Sequence, residues 1–430
     1  MKRPVILLLL IVALVLVCAG IGAVLFFAPY KSLPVNLFES PRLSSEAEES
    51  ETLNVEGPIT LKVVDEAGKV TITGADVEEV TVNVVKTGFG TTQEKADEAL
   101  KNIQYKIEQN GDTVTLTYEY PDSRTQIYEQ VDFNVTVPVE TTVDIRASIG
   151  SVSVAGVGGR VDIENDFGDI AVEQVDGALT VKTDSGRIDV TSVKAGATDI
   201  DLFSGFGSIY LDQVSGAGIQ AESSSGTLDL ENVRATGEVE LTSEFGNISF
   251  ADGSAGSLTI STNSGAVDLE SVRVSGALVV EDDFGNINLE KVVAKSYDTR
   301  TNSGSIIVDG ARGTVKANTG FGNITVRNAE EVTVDLNTES GAIDFEGSLG
   351  EGPHTIHSNF GQIEVSIPGD SALDVDFQTD FGKIVSELPI TVILSGELDQ
   401  THQAGTINGG GSQFNVSTNS GGITVKVLGE

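Results

Sequence analysis

Apolar residues alternate with polar or small ones over most of this 430-residue chain, and a glycine cuts the alternation at near-regular intervals. The glycines are Gly150, Gly168, Gly186, Gly207, Gly226, Gly246, Gly265, Gly285, Gly304, Gly322, Gly341, Gly361, Gly382, Gly405 and Gly421, mostly 18 to 21 residues apart. Two and four residues after them lie apolar side chains, as in Ile170 and Val172, Ile209 and Leu211, Ile287 and Leu289, and Ile363 and Val365. Seven and five residues before them the pattern returns, with Leu179 and Val181, Ile200 and Leu202, and Leu258 and Ile260. A period of two marks a strand with one buried face. Each unit therefore predicts two short strands hinged at the glycine. A valine seven residues past the hinge (Val175, Val193, Val214, Val233, Val272, Val292) adds a third inward contact.

One such unit buries too few side chains to offset its own conformational entropy, so its neighbours must complete it. Hairpins compete as a reading, but the Asn-Gly signal is missing at the hinges and tight turns do not alternate with long returns. The expected fold is all-β: a single-chain parallel β-helix of about fifteen coils of 18–21 residues, spanning residues 143–430. At one strand spacing per coil this is a rod of roughly 70 Å. The hinge reads Ser or Thr, often Asn or Asp, Phe or Ser, then Gly, as in Thr262-Asn263-Ser264-Gly265. Glycine tolerates positive φ and Asn or Asp bonds backbone at turns, so this suits a sharp corner.

The residue before the glycine alternates Phe and Ser, from Phe167, Ser185, Phe206 and Ser225 through to Ser340 and Phe360. Coils about 4.8 Å apart leave no room for Phe rings in register at one corner, and alternation relieves that crowding. The alternation fails at Phe381, one coil after Phe360, and the next gap stretches to 23 residues at Gly405. Residues 381–410 therefore read as a distorted or inserted coil.

The front of the chain differs. Residues 1–4 form a short tail with Lys2 and Arg3, and residues 5–28 are uncharged and almost wholly apolar. That length spans a bilayer, and the basic flank keeps the N-terminus cytoplasmic. A cleavable signal peptide is the rival, with a normally shorter apolar region. Val17 is too bulky for lipoprotein cleavage before Cys18, which reads as a lipid-facing or packing residue. Residues 29–54, with Pro34, Pro41 and the acidic run from Glu46, have a linker's composition. Residues 55–142 are expected to form an N-terminal cap. Thr91 and Glu94 make a capping box for a helix over 94–101, and Asn110-Gly111 joins strands at 103–107 and 114–120 as a hairpin.

Net charge is −38, with 64 acidic residues against 26 basic ones. That excludes nucleic acid and anionic lipid as partners, whose phosphates need Lys and Arg. The acidity instead keeps a long rod soluble and discourages lateral sheet pairing. One cysteine, in the apolar segment, excludes intrachain disulfides. No ligands for redox chemistry or haem are evident.

Asp166-Phe167-Gly168, Asp283-Phe284-Gly285 and Asp380-Phe381-Gly382 match a kinase tripeptide but are repeat corners without the other kinase motifs. Gly88-Phe89-Gly90 and Gly320-Phe321-Gly322 lack the setting of a dinucleotide site. His354 and His357 would face opposite sides of a strand, with His402 distant, and read as solvated residues rather than metal ligands. Two residues before the hinge stands a column of oxygens: Asp166, Asp184, Glu244, Asn263, Asp283, Asn302, Glu339, Asn359, Asp380 and Asn419. Structural Ca²⁺ is conceivable there, but the calcium β-roll nonapeptide is absent and mutual hydrogen bonding explains the column equally well. Acids at Asp189, Asp229, Asp268 and Asp344, with Arg187 and Lys383, line up on the outer face, yet they recur periodically. The break at 381–410 carries Glu387, Glu397, Asp399 and His402. No catalytic, cofactor or metal residue is assigned, and no cofactor is expected.

The Gly57-Pro58-Ile59 to Thr73-Gly74 stretch, the helix before Asn110-Gly111-Asp112, and the repeated Ser-Gly-x-Ile and Phe-Gly-x-Ile corners together resemble the bacterial putative-adhesin family of envelope β-solenoids. The resemblance covers roughly residues 55–430 and implies a right-handed β-helix outside the membrane, with a role in surface attachment or envelope signalling. It brings no catalytic residues. The expected protein is a single-pass, membrane-anchored extracytoplasmic solenoid, a non-catalytic adhesion, envelope-interaction or scaffold protein. Its partners would be the membrane and an envelope polysaccharide or protein. The alternative is a polysaccharide-active lyase or hydrolase on the same helix.

Overall fold

The computed structural model describes residues 43–119, 129–391 and 400–429. Strands stack parallel and in register from coil to coil. Val161–Phe167 lies between Thr141–Ile149 and Leu179–Ser185, with Val161 opposite both Val143 and Leu179. Equivalent apolar side chains therefore form ladders, and Ile170, Ile188, Ile209, Leu228 and Ile248 are all fully buried in one of them. Because neighbouring coils share every backbone bond of the ladder, each coil supplies both a floor and a ceiling of apolar surface.

Each coil has three sides. The strands before and after the glycine make two, and the valines seven residues past it are buried at the start of the third. Ser215–Gly216, Arg234–Ala235, Ser254–Ala255 and Arg273–Val274 pair there as a separate small sheet. The turn onto this side is made by one residue in the left-handed region: Gln174, Ser192, Gln213, Asn232, Asp252, Ser271 and Lys291 all have φ between 51° and 57°. None is β-branched, which is what this conformation demands.

The first corner needs glycine mainly for space. Gly246 does not occupy the left-handed region, yet a Cβ there would sit 2.0 Å from the carbonyl oxygen of Gly226. The same close approach repeats from Gly150 to Gly361, and between those two residues the chain makes about 11 consecutive turns. The expectation of about fifteen coils in simple succession is thus corrected. Gly68 joins the column beneath Gly150, and Gly382 and Gly421 join it out of order. Gly405 leaves it altogether, because it lies in His402–Ile407, which pairs antiparallel with Leu373–Phe381.

Both ends are interleaved. Ser412–Ser420 and Ile423–Val427, the last strands of the chain, do not follow the coil Leu373–Ser386 on its outer side. They sit between it and the earlier coil His354–Ile367. At the front, Ile59–Asp65 and Val70–Ala75 lie between the coil Thr141–Ala155 and the later strands Thr113–Tyr118 and Glu129–Pro138. Each end coil is therefore held on both faces by segments distant in sequence.

Among its described residues the cap contains the expected hairpin, Tyr105–Asn110 with Thr113–Tyr118, and one helix, Gln93–Asn102. Its N-cap is Thr92, whose Oγ1 accepts from Lys95 N at 3.3 Å, one residue later than the capping box predicts. Glu79–Gly90 pairs antiparallel with Glu129–Pro138 and on its other side with Leu43–Asn54. The segment 43–54, expected as linker, is thus an edge strand. Its glutamates, Glu46, Glu48, Glu49 and Glu51, make that edge a poor template for further pairing. The expected anchor at 5–28 lies outside the described residues, and among these no helix is long and apolar enough to cross a membrane.

Candidate functional site: an aromatic edge

Three residues before the corner glycine, one inward position is polar in every coil from Asn165 onward, and in most of them it ties the corner together. Ser204 Oγ donates to Gly186 O at 3.0 Å, Ser223 Oγ to Gly207 O at 2.9 Å, Thr319 Oγ1 to Gly304 O at 2.9 Å and Ser358 Oγ to Gly341 O at 2.9 Å. Asn165 does the same through Nδ2, 2.9 Å from Gly150 O. These short side chains are buried, so each must be hydrogen-bonded, and the bond fixes the corner to the coil beneath. Thr183, whose buried Oγ1 has no partner, lacks this bond, and so does Asp282. Its Oδ1 accepts from Phe284 N at 3.0 Å, while Oδ2 is buried without a partner, and burial pushes its carboxyl up to about 6.

The corner turns the next two residues outward. Phe167, Phe206, Phe245, Phe284, Phe321, Phe360 and Phe381 are 56 to 79% exposed, so these rings do not fill an interior corner. They stand on one edge of the rod. The apparent failure of the Phe/Ser alternation also disappears in space: Ser420 pairs with Phe360 on one side and with Phe381 on the other. The last coil restores the alternation that the linear order breaks. Successive rings are thus two strand spacings apart, ~10 Å, with a serine in every gap. So ordered a row of exposed aromatic rings makes this edge the candidate contact surface.

Polar residues bracket the rings. Asn247 Oδ1 accepts from Ala266 N, Asn286 Oδ1 from Ser305 N and Asn323 Oδ1 from Ala342 N, each at 2.9 Å, so the asparagine after a Phe-Gly corner ties that coil to the next. Two residues before the glycine, Asn302 Nδ2 donates to Asp283 Oδ1 at 2.7 Å and Asn419 Nδ2 to Asn359 Oδ1 at 3.1 Å. This column hydrogen-bonds to itself, and Asn359 and Asn419 are neighbours only because the last coil is interleaved.

The other candidates do not converge. His354 is fully buried rather than solvated. Its Nε2 lies 3.2 Å from Gly350 O, its ring meets Phe414 edge-on, and burial holds it below the usual histidine range. His357, on the opposite face as expected, contacts Ser417 Oγ at 2.8 Å and Asn359 Oδ1 at 3.0 Å. His402 contacts Asp376 Oδ1 at 2.9 Å. Glu387 Oε2 accepts from Val427 N at 3.0 Å, and Glu397 and Asp399 lie outside the described residues. Asp189 pairs with Arg187 in its own coil, and Asp229 accepts from Ser249 Oγ at 2.6 Å. Burial, reinforced by Glu364 and Glu346, raises Asp344. No group of three or more metal-ligating side chains occurs among the described residues. The sequence showed the Phe/Ser column; that it faces solvent was hidden, because its parity along the strand matches that of the buried positions.

A family model for Toastrack DUF4097 matches residues 59–253 and again 248–426. A solved putative adhesin from Bacteroides fragilis aligns over 66% of this chain and 97% of its own, at 13% identity and a TM-score of 0.30. A putative cell adhesion protein from Clostridium sporogenes aligns over 89% of this chain and 100% of its own, at 9% identity and a TM-score of 0.19. Likenesses that low carry no argument about function. No match was found among curated proteins. The two family matches meet near residue 250 and together take in almost the whole solenoid, so this chain belongs to the Toastrack DUF4097 family.

Proposed function

We propose that the chain is a membrane-anchored, extracytoplasmic rod that works by adhesion to envelope or surface material, without catalysis, and that the Phe/Ser edge is its contact surface. The observation that carries this reading is the continuity of that edge. Seven rings keep one spacing along the rod, and a chain segment displaced from its linear order keeps it at Ser420. Packing does not require rings that face solvent, so a repeated contact is the better reason for them. The outer acids are spaced periodically, with Asp189 paired to Arg187 and Asp229 accepting from Ser249, which suits solubility. The names of the Bacteroides and Clostridium proteins agree with an adhesive role but add no weight.

The test is capture of isolated envelope material by the full chain, immobilised in detergent. In the variant, all seven phenylalanines become serine, a residue the same column already holds in alternate coils. Capture should fall to background while the circular dichroism spectrum and the unfolding temperature stay unchanged. Undiminished capture by this variant would refute the edge as the contact surface. Separately, the intact chain should resist alkaline extraction from membranes, and a chain lacking residues 1–28 should not.

A further inference from the structure

We infer that the rod carries a binding groove for an extended, uncharged polysaccharide on its C-terminal half, beside the corners that carry Phe321 and Phe360. This rests on the adhesive reading above and names the ligand class and the place. A shallow groove of about 400 Å³ runs there, lined by Asn302, Asn318, Asn337 and Asn359, with Arg300 and Glu339 as its charged members. On a chain of net charge −38, a groove walled by amides is a local exception. Toward the other end of the rod the column that holds Asn318 and Asn337 carries Glu164, Lys182 and Glu222 instead.

Two of the amides are unused. Asn318 and Asn337 are in-register partners on adjacent strands, both half-buried, and neither side chain has a hydrogen-bond partner among the described residues. Asn302 and Asn359, by contrast, are held by Asp283, Asn419 and His357. A carboxamide offers two donors and an acceptor together, which matches vicinal hydroxyls that both donate and accept. An ionic ligand would leave these neutral dipoles poorly matched, and an anionic one would also meet the acidic rod.

Phe321 and Phe360, which directly follow Gly320 and Asn359 of the groove's lining, supply the second half of the recognition. Phe321 and Phe360 are 65 and 64% exposed and belong to coils separated only by that of Ser340. Their ~10 Å separation is set by two strand spacings, and it is comparable to the disaccharide repeat of an extended β-1,4-linked hexose chain. A pyranose presents one face of C–H groups, which packs on a phenyl ring, and an equatorial fringe of hydroxyls, which the amides can bond. Two rings at one disaccharide spacing would hold alternate sugars while the asparagines read the sugar between them.

The experiment is isothermal titration calorimetry of the full chain in detergent with β-1,4-linked hexamers of N-acetylglucosamine, glucose and mannose, and with an oligogalacturonate hexamer. At least one neutral hexamer should bind saturably, with the oligogalacturonate showing no heat. Phe360→Ser and Asn337→Ala should each weaken it about tenfold or more without lowering the unfolding temperature, since contacts at the centre of a site carry most of its affinity. Phe167→Ser, at the far end of the same edge, should leave it unchanged. No binding by any neutral hexamer, tighter binding of the anionic one, or binding indifferent to Phe360→Ser would overturn the proposal. So would a concentration-dependent dimer, seen by sedimentation velocity and abolished by Phe360→Ser, which would assign the groove to a second copy of the chain. If the chain still captures envelope material through its edge in those cases, the groove falls and the adhesive reading stands. If it captures nothing, both fall.

Discussion

At the scale of the residue, the fold depends on how one buried polar atom per coil is satisfied. Hydroxyls solve this with a single donated bond to the glycine carbonyl of the adjacent coil, as at Thr338 and Thr418, 3.0 and 3.1 Å from Gly322 O and Gly361 O. A carboxylate cannot donate, so Asp282 completes the corner only when protonated, with Gly265 O as the equivalent carbonyl. Its folded-state value near 6 lies above the ordinary carboxyl range. A raised folded value means that its stabilising contribution is full below about pH 4 and is lost as pH rises through 6. Asp282→Thr should therefore stabilise the protein at pH 7 by on the order of 1 to 2 kcal/mol, with little change at pH 4. Chemical unfolding at the two pH values measures this, and an equal effect at both would show that the carboxyl is not the source. Asp65 stands in the same position relative to Gly68, is pushed up to about 8 by burial, and also has an unpartnered Oδ2.

At the scale of the element, a coil tolerates changes that keep its cross-section filled. Seven residues past the hinge stands Val233 in one coil and Val272 two coils on, but Gly253 in the coil between them. A Cβ at Gly253 would lie 2.0 Å from the Phe250 ring, which occupies the space valine fills elsewhere. Gly253→Val alone should destabilise by about 2 to 4 kcal/mol through overpacking. Combined with Phe250→Leu, which restores the repeat's usual pair, most of that loss should return. A double-mutant cycle from unfolding curves would show coupling of more than about 1 kcal/mol; additive losses would contradict the exchange. The two strands and the inward valine of each coil were legible because their period of two is set by burial. The second corner was not, since Gln174, Asn232 and Lys291 share a backbone conformation and little side-chain chemistry. Nor was the reason for the first glycine, which is a contact between coils and leaves no mark within one.

At the scale of the whole molecule, the interleaved ends decide how the rod is finished. A solenoid end exposes a full strand edge, and a coil that merely followed the last would fray from it. Here the final coil must be withdrawn from between two others before the end can open, and His402–Ile407 lies antiparallel along the coil outside it. The sequence carried the clue in the pair Phe360 and Phe381, two phenylalanines where one serine was due, and in the long gap that follows. Read as a linear stack, that pair is a defect. Only the pairing register shows that Ser420 fills the gap, because linear order and spatial order part company where the chain doubles back. The aromatic edge and the amide groove both depend on the same geometry, since it places Asn419 against Asn359 and continues the row of rings to Phe381.

That geometry can be tested by oxidative crosslinking in a Cys18→Ser background. Neighbouring parallel strands put paired Cα atoms about 4.8 Å apart, within disulfide reach, whereas two strand spacings do not. Phe381→Cys with Ser420→Cys should therefore oxidise to an intrachain disulfide, and Phe360→Cys with Phe381→Cys should leave two free thiols. A disulfide between 360 and 381, with none between 381 and 420, would contradict the interleaved column and the continuous edge built on it.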